Sequence, residues 1–282
     1  MNVKKRRINK IIAVVLLLLL LPCASGCQKL KSGIKNGLGY GETITQRPTV
    51  RLTFPEGSTV AEFAKILEGG GVCTADEFLI QADNAALLTE YGFEIENPEN
   101  RAFALEGYLF PDTYDFYVGE GAESAAKRFL ENSQRKLDDG VKARCAELGY
   151  SLDDVLKIAS IIQEEAGDPA EMGKVSSVIH NRLGSDSFPK LQCDAATFYM
   201  RDSVKPYVSE EEYELLFEAY STYKCEGLPE GPITNCGIEA INAALYPEET
   251  DYYFFISDSE NKYHYAETYE EHLEYCYEAG LI

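Results

Sequence analysis

The sequence predicts an α+β chain. A membrane anchor or lipoprotein signal occupies residues 1–26 and a linker residues 27–47; a small α+β module follows at 48–92 and a larger mixed α+β domain at 93–282. Three observations carry this. A basic cluster precedes an unbroken apolar run at the start of the chain. Thr49–Phe54 alternates like a strand and leads into two helical patterns. The remainder mixes amphipathic helical runs with one aromatic hairpin pattern near its end.

Lys4, Lys5, Arg6, Arg7 and Lys10 stand before the apolar run Ile11–Leu21. That run is short for a bilayer span and suits the apolar core of a signal peptide. Ala24-Ser25-Gly26 then lead into Cys27. Small residues directly before a cysteine resemble a bacterial lipobox, with cleavage before Cys27 and lipid on its thiol; Ala24 stands where Leu is usual. The alternative is an uncleaved membrane anchor. Either way the retained positive charges leave the rest of the chain outside the cytoplasm, at the outer face of the cell membrane.

The 282 residues are 45% hydrophobic and 26% charged, enough for one large or two modest cores. Lys and Arg number 26 against 47 Asp and Glu. The first 26 residues hold five of the bases and no acid, so residues 27–282 carry 21 against 47, a net charge of −26. Such a surface argues against nucleic acid or anionic lipid as partners and leaves a carbohydrate open. Beyond Cys23 and Cys27 there are six cysteines, which can pair in fifteen ways or remain free thiols. No CxxC occurs and no histidine neighbours a cysteine at ligand spacing, so no metal site is expected. Nucleotide, flavin and zinc-hydrolase motifs are missing as well, and no cofactor is expected.

In chain order, residues 28–46 read as a tether. The strand 49–54 turns at Pro55-Glu56-Gly57, and Ser58 is the expected cap of a helix carrying Val60, Phe63, Ala64, Ile66 and Leu67 that stops at Gly69-Gly70-Gly71. Thr74 caps a second helix ending by Tyr91. Strand, helix, helix in this space resembles a LysM module, which implies glycan binding. Residues 105–116 read as turn-rich, with aromatic side chains available to stack on sugar rings. Residues 122–148 form one amphipathic helical stretch with Phe129 and Leu137 inward.

Ser151–Leu183 organises the rest. Leu152, Val155, Leu156, Ala159 and Ile162 recur at helical steps, and Ser151 with Asp154 makes a capping pair. At about 100° per residue Glu164 falls beside Lys157 on the outer face, Gln163 near the middle of the buried face, and Glu165 at the flank next to Ile158 and Ile161. A carboxyl there is partly desolvated, which raises its pKa toward the range of a general acid. Periodicity alone favours the plainer reading of two surface acids ending a helix. A second helix spans 170–183. The Pro- and Gly-rich loop 227–235 is the rigid kind that lines a site, 238–245 is helical, 252–256 and 263–266 pair as a hairpin, and Thr268 opens the last helix.

Seven segments together resemble the MltG (YceG-like) family of endolytic murein transglycosylases: LEGYLFPDTYDF (105–116), ASIIQEEA (159–166), NRL (181–183), LQCDAAT (191–197), YSTY (220–223), GLPEGPITNCG (227–237) and DYYFFISD (251–258). The resemblance implies that Glu165 is the catalytic acid, with Gln163 at the motif's other acidic position. It implies cleavage of the MurNAc-β-1,4-GlcNAc bond within nascent strands, leaving 1,6-anhydro ends and terminating elongation, with peptidoglycan synthases as possible partners. Cys193 and Ala195 replace the family's Ser and Pro, and Ser221 its Asn. Asn181, Gln192, Asp194, Thr197, Tyr220 and Asn235 are the expected substrate-binding residues. Two other readings stand beside this one: a muramidase using Asp194 as a second carboxylate, and a noncatalytic glycan-binding lipoprotein.

Overall fold

The computed structural model describes residues 47–282; the leader and Cys27 lie outside them. Strand β1 (Thr49–Thr53) pairs antiparallel with β2 (Thr113–Tyr117), with Leu52 opposite Tyr114. Val50 and Leu52 turn toward the core, while Arg51 reaches across the solvent face to Asp115 at 2.7–2.8 Å. Between the strands run α1 (Val60–Gly69), α2 (Ala75–Ala82) and α3 (Ala85–Glu90). The partner strand of β1 thus lies at 113–117, outside the residues 48–92 that the sequence marks as a module. Pro48–Ile282 forms one compact unit.

Local chemistry corrects several boundaries. Thr59, not Ser58, caps α1: its hydroxyl accepts from Glu62 N–H and its own N–H donates to the Glu62 carboxylate, while the Ser58 carbonyl accepts from Asn235. The helix expected from Thr74 to Tyr91 breaks at Asp83-Asn84, where Asn84 caps α3. The stretch 122–148 divides into α4 (Ala122–Lys136) and α5 (Asp139–Leu148), since the Asp138 carboxylate accepts from Gly140 and Val141 and starts a new helix. Phe129 and Leu137 do point inward. Phe129 sits in a ring cluster with Phe54, Phe63 and Tyr114 at centroid separations of 4.8–5.0 Å. Burying each such side chain is worth about 1.5–3 kcal/mol.

The segment 105–112 is irregular, as expected, but its aromatic residues do not face solvent. Tyr108 and Phe110 are buried, and the Tyr108 hydroxyl donates to Asp153 at 2.7 Å. Gly107 holds a φ of +84°, and a Cβ there would lie 2.5 Å from Pro232, so only glycine fits.

The central helix α6 (Leu152–Glu165) begins with the expected Ser151–Asp154 box and buries Val155, Leu156, Ile158, Ala159, Ile161 and Ile162. Against it pack α7 (Met172–Leu183), the short α8 (Ala195–Tyr199) and, after α9 (Glu210–Tyr220), the apolar α10 (Ile238–Leu245). Strands β3 (Phe254–Ser257) and β4 (Tyr263–Ala266) form the expected hairpin, and Thr268 caps α11 (Tyr269–Glu278). Among the described residues no helix is long and apolar enough to cross a membrane. The six cysteines from Cys73 to Cys276 are free thiols.

Candidate active site

Glu165 is the last residue of α6, where the helix gives way to a loop. Its backbone is fixed from the hairpin: the Tyr263 hydroxyl donates to the Glu165 carbonyl at 2.7 Å and accepts from Gly167 N–H at 2.9 Å. The free carbonyls at a helix end need such partners, and here one tyrosine satisfies the turn that aims the carboxyl. That carboxyl is half-buried and faces a cleft of about 470 Å³. One wall consists of Gln192, Cys193, Asp194 and Tyr223; the hairpin and α11 contribute aromatic and apolar side chains, Tyr253, Phe255 and Tyr269 among them.

Burial raises the Glu165 pKa above the ordinary carboxyl range, and the neighbouring Asp194 charge adds to it. Ala195 N–H, 3.4 Å from Oε1, and the Cys193 thiol act in the opposite direction by favouring the anion. The acid is thereby poised: desolvation favours the proton, while a backbone donor waits for the charge that forms when it leaves. Cys193 is fully enclosed, and burial pushes its thiol far up, so it remains neutral beside Glu165.

Asp194 stands one residue before the N–H that touches Glu165. Its Oδ1 accepts from the Tyr223 hydroxyl at 2.8 Å. Gln192 adopts a left-handed φ of +55°, unusual for a residue with a side chain. Its backbone N–H donates to Thr222 O at 3.1 Å, and its amide oxygen accepts from Arg182 at 3.1 Å. Thr222 bonds both the N–H and the carbonyl of Cys193, tying the YSTY segment to the LQCD segment.

Of the expected substrate-binding residues, only Gln192 and Asp194 join Glu165 at the cleft. Asn181 spends both amide hydrogens on the carbonyls of Thr250 and Tyr252, fastening α7 to the approach of the hairpin. Thr197 lies on α8 outside the lining. Tyr220 is completely buried, with Ala102 N–H donating to its hydroxyl at 3.3 Å. Asn235 is buried too, linking Leu109 N–H, the Ser58 carbonyl and Glu106. These last two are core residues. The sequence reading missed Tyr263 and Tyr223; Tyr263 is 98 residues from Glu165 along the chain, and no local pattern announces it.

Glu164 also stands elsewhere than expected. Lys157 turns back toward the start of its helix, to Asp153 and Asp154 at 3.1 and 3.5 Å, as helical side chains do. Glu164 instead extends toward the turn at Gly57, with Oε1 2.9 Å from where a Cβ on that glycine would lie. The residue as a whole is exposed, but its carboxyl end, the part that titrates, is crowded; burial, then the charge of Glu62, raise its pKa to about 7. Gln163 is half-buried rather than central to the core, and its amide oxygen accepts from Gly237 N–H at 2.9 Å, capping the start of α10.

A second concavity of about 320 Å³ lies on the outer face of α11, between Leu273, Glu274, Tyr277 and Glu278. It gathers no buried titratable group and lacks the convergence expected of a catalytic site.

A model of the YceG-like family matches residues 24–278. The endolytic murein transglycosylase of Bacillus subtilis (strain 168) is 29% identical over 253 residues, covering 87% of this chain and 66% of that protein. The protein of the same name from Streptococcus pneumoniae serotype 2 (strain D39 / NCTC 7466) is 26% identical over 254 residues, covering 82% of this chain and 45% of the other. The chain therefore spans between about half and two thirds of the length of these relatives. A 2.6 Å crystal structure of a yceG-like protein from Listeria monocytogenes matches with a TM-score of 0.70 and 28% identity, covering 82% of this chain and 77% of that one.

Proposed function

From the premise that the chain belongs to the YceG-like family, we propose that it is an endolytic peptidoglycan transglycosylase, cutting the MurNAc-β-1,4-GlcNAc bond inside glycan strands. The observation that carries this is the single half-buried carboxyl, that of Glu165, among the residues lining the cleft, with its proton favoured by burial. Glu165 protonates the departing glycosidic oxygen as general acid. Its carboxylate, met by Ala195 N–H, then takes the proton of the muramyl C6 hydroxyl, which attacks its own anomeric carbon. The bond broken is C1–O4, the bond formed is C1–O6, and the proton given in the first step is recovered in the second. Because the nucleophile is part of the substrate, its effective concentration is high and no water is needed.

A hydrolase of the usual kind needs two carboxyls flanking the scissile bond. Asp194 is the second carboxylate among the described residues lining the cleft, but it is adjacent in sequence to the residue that touches Glu165, and the wall from hairpin and α11 offers none. That favours transglycosylation over a muramidase using Asp194. Mass spectrometry of digested peptidoglycan is the test: internal fragments ending in 1,6-anhydro-muramic acid are expected, and reducing muramic acid ends would establish hydrolysis instead. A chain that binds glycan and leaves it intact would be the noncatalytic lipoprotein.

The finer assignments belong to the same proposal. The 48–92 segment with its partner strand binds glycan in the manner of a LysM module, supported by the strand–helix–helix order closed by β2. Because this segment shares its core with the rest of the chain, the test changes only its exposed side chains, which should weaken retention on insoluble peptidoglycan while the fold stays intact. Lipid on Cys27 holds the chain at the outer face of the cell membrane, near the synthases whose strands it would terminate; Cys27→Ala should then leave an unprocessed precursor, and normal processing would return the plain membrane anchor.

A further inference from the structure

We propose that Arg182 is a positioning residue for this reaction: it orients the Gln192 amide so that its NH₂ faces the cleft as a donor to the acetamido carbonyl of the substrate. The inference rests on the transglycosylase reading and deepens it. Arg182 lies in the last turn of α7 and is 7% exposed. Its Nε donates to Tyr253 O at 2.6 Å, and Nη1 approaches Lys190 O at 2.9 Å, Leu191 O at 3.0 Å and Gln192 Oε1 at 3.1 Å. The guanidinium also lies over the Phe254 ring, 5.0 Å from its centroid. Among the described residues no carboxylate pairs with it, so this buried cation is held by carbonyl dipoles and the face of one ring.

An expensive arrangement of that kind does two things. It bolts the hairpin to the 190–192 segment, which sets the distance between the two walls of the cleft. It also decides which way the Gln192 amide faces. Arginine has donors and no acceptor, so the atom toward it must be the amide oxygen. The NH₂ is thereby directed away from Arg182, and among the described residues nothing accepts from it. The left-handed backbone of Gln192, pinned by Thr222, keeps the side chain at the cleft beside Asp194. Strained backbone at such a point is commonly held in place for function. With its oxygen turned to Arg182, the group that Gln192 presents to the cleft is its donating NH₂. Its best match on a glycan is a group that can only accept, and the acetamido carbonyl is such a group, whereas a hydroxyl serves either role.

The test compares intact glycan with chemically de-N-acetylated glycan for wild type, Gln192→Glu and Arg182→Lys, reading anhydro-ended products by mass spectrometry as kcat/KM. Gln192→Glu keeps the contact to Arg182 and turns the cleft-facing donor into an acceptor. Wild type should prefer acetylated glycan, and Gln192→Glu should lose about tenfold of that preference, chiefly through KM. Arg182→Lys, which cannot meet four oxygens with one ammonium, should lose the preference in the same direction. A merely structural arginine would lower melting temperature and total activity while leaving the ratio between the two glycans unchanged. If Gln192→Glu retains the wild-type ratio, the inference is overturned whatever Arg182→Lys does. If wild type makes no anhydro ends on either glycan, the parent reading fails instead.

Discussion

Two glutamates of the same chain occupy opposite kinds of surroundings. Glu106 is wholly enclosed between α1 and the loop before α10: both carboxyl oxygens meet Val60 N–H at 3.0–3.1 Å, Asn235 Nδ2 lies 2.8 Å from Oε1, and the Tyr199 hydroxyl 3.2 Å from Oε2. Glu165 has one long backbone contact and an open cleft before it. Burial raises both pKa values. The same shift therefore has two meanings. Where every lone pair is claimed by the protein, a buried carboxyl is a tie between segments; where most are left for a ligand, it is chemistry in waiting.

The contrast is tested most sharply at Glu165. Glu165→Gln removes the transferable proton and should reduce turnover by about 10²–10⁴-fold or more, since one residue serves both proton transfers, with little change in melting temperature. Wild-type turnover in that variant would reject the assignment. Glu106→Ala should do the reverse. It strands the Val60 and Tyr199 donors in the core and should cost about 2–4 kcal/mol in denaturant unfolding, while protein that stays folded retains anhydro-product formation. Glu106→Gln, which keeps most of the bonds, should recover much of that loss; if Glu106→Ala unfolds at the wild-type midpoint, the tie is not one.

Glu164 is the intermediate case, and pH is the lever. Its folded pKa of about 7 lies above the ordinary 4.5, so the folded state holds this proton more tightly than the unfolded one. Stability from this group is present below about pH 4.5 and is lost as pH rises through about 7. Glu164→Gln should flatten that part of the stability profile and gain about 1 kcal/mol above pH 7, the small size reflecting solvent contact. Turnover should change no more than a few-fold. A profile identical to wild type would mean that the carboxyl is not crowded against the Gly57 turn as described.

Helix α6 was legible in detail, down to its Ser151–Asp154 box and the flank position of Glu165, because helical periodicity and capping are local and repeat every turn. The final hairpin and the cap at Thr268 were legible for the same reason. The aromatic segment 105–116 was misread. Its last residues, 113–116, are strand rather than turn, paired with β1; before them the stretch is irregular and carries no period to say which side is buried, and there Tyr108 and Phe110 go inward. Glu164 was misplaced because a helical wheel gives an angle and no neighbour; what lies at that angle is the Gly57 turn, more than a hundred residues earlier.

The sequence by itself determined most element types, the flank position of Glu165 on its helix and the acidic net charge, since each depends on residue order, spacing or composition alone. Which polar residues serve the site was decided by tertiary structure. Asn181, Gln192, Asp194, Tyr220 and Asn235 all stand in family-like motifs, yet only Gln192 and Asp194 keep groups at the cleft, while the others spend theirs on Thr250, Tyr252, Ala102, Ser58 and Glu106. The physical reason is that a buried polar group must find a partner. Whether that partner is protein or substrate depends on what the rest of the chain brings within about 3 Å of it.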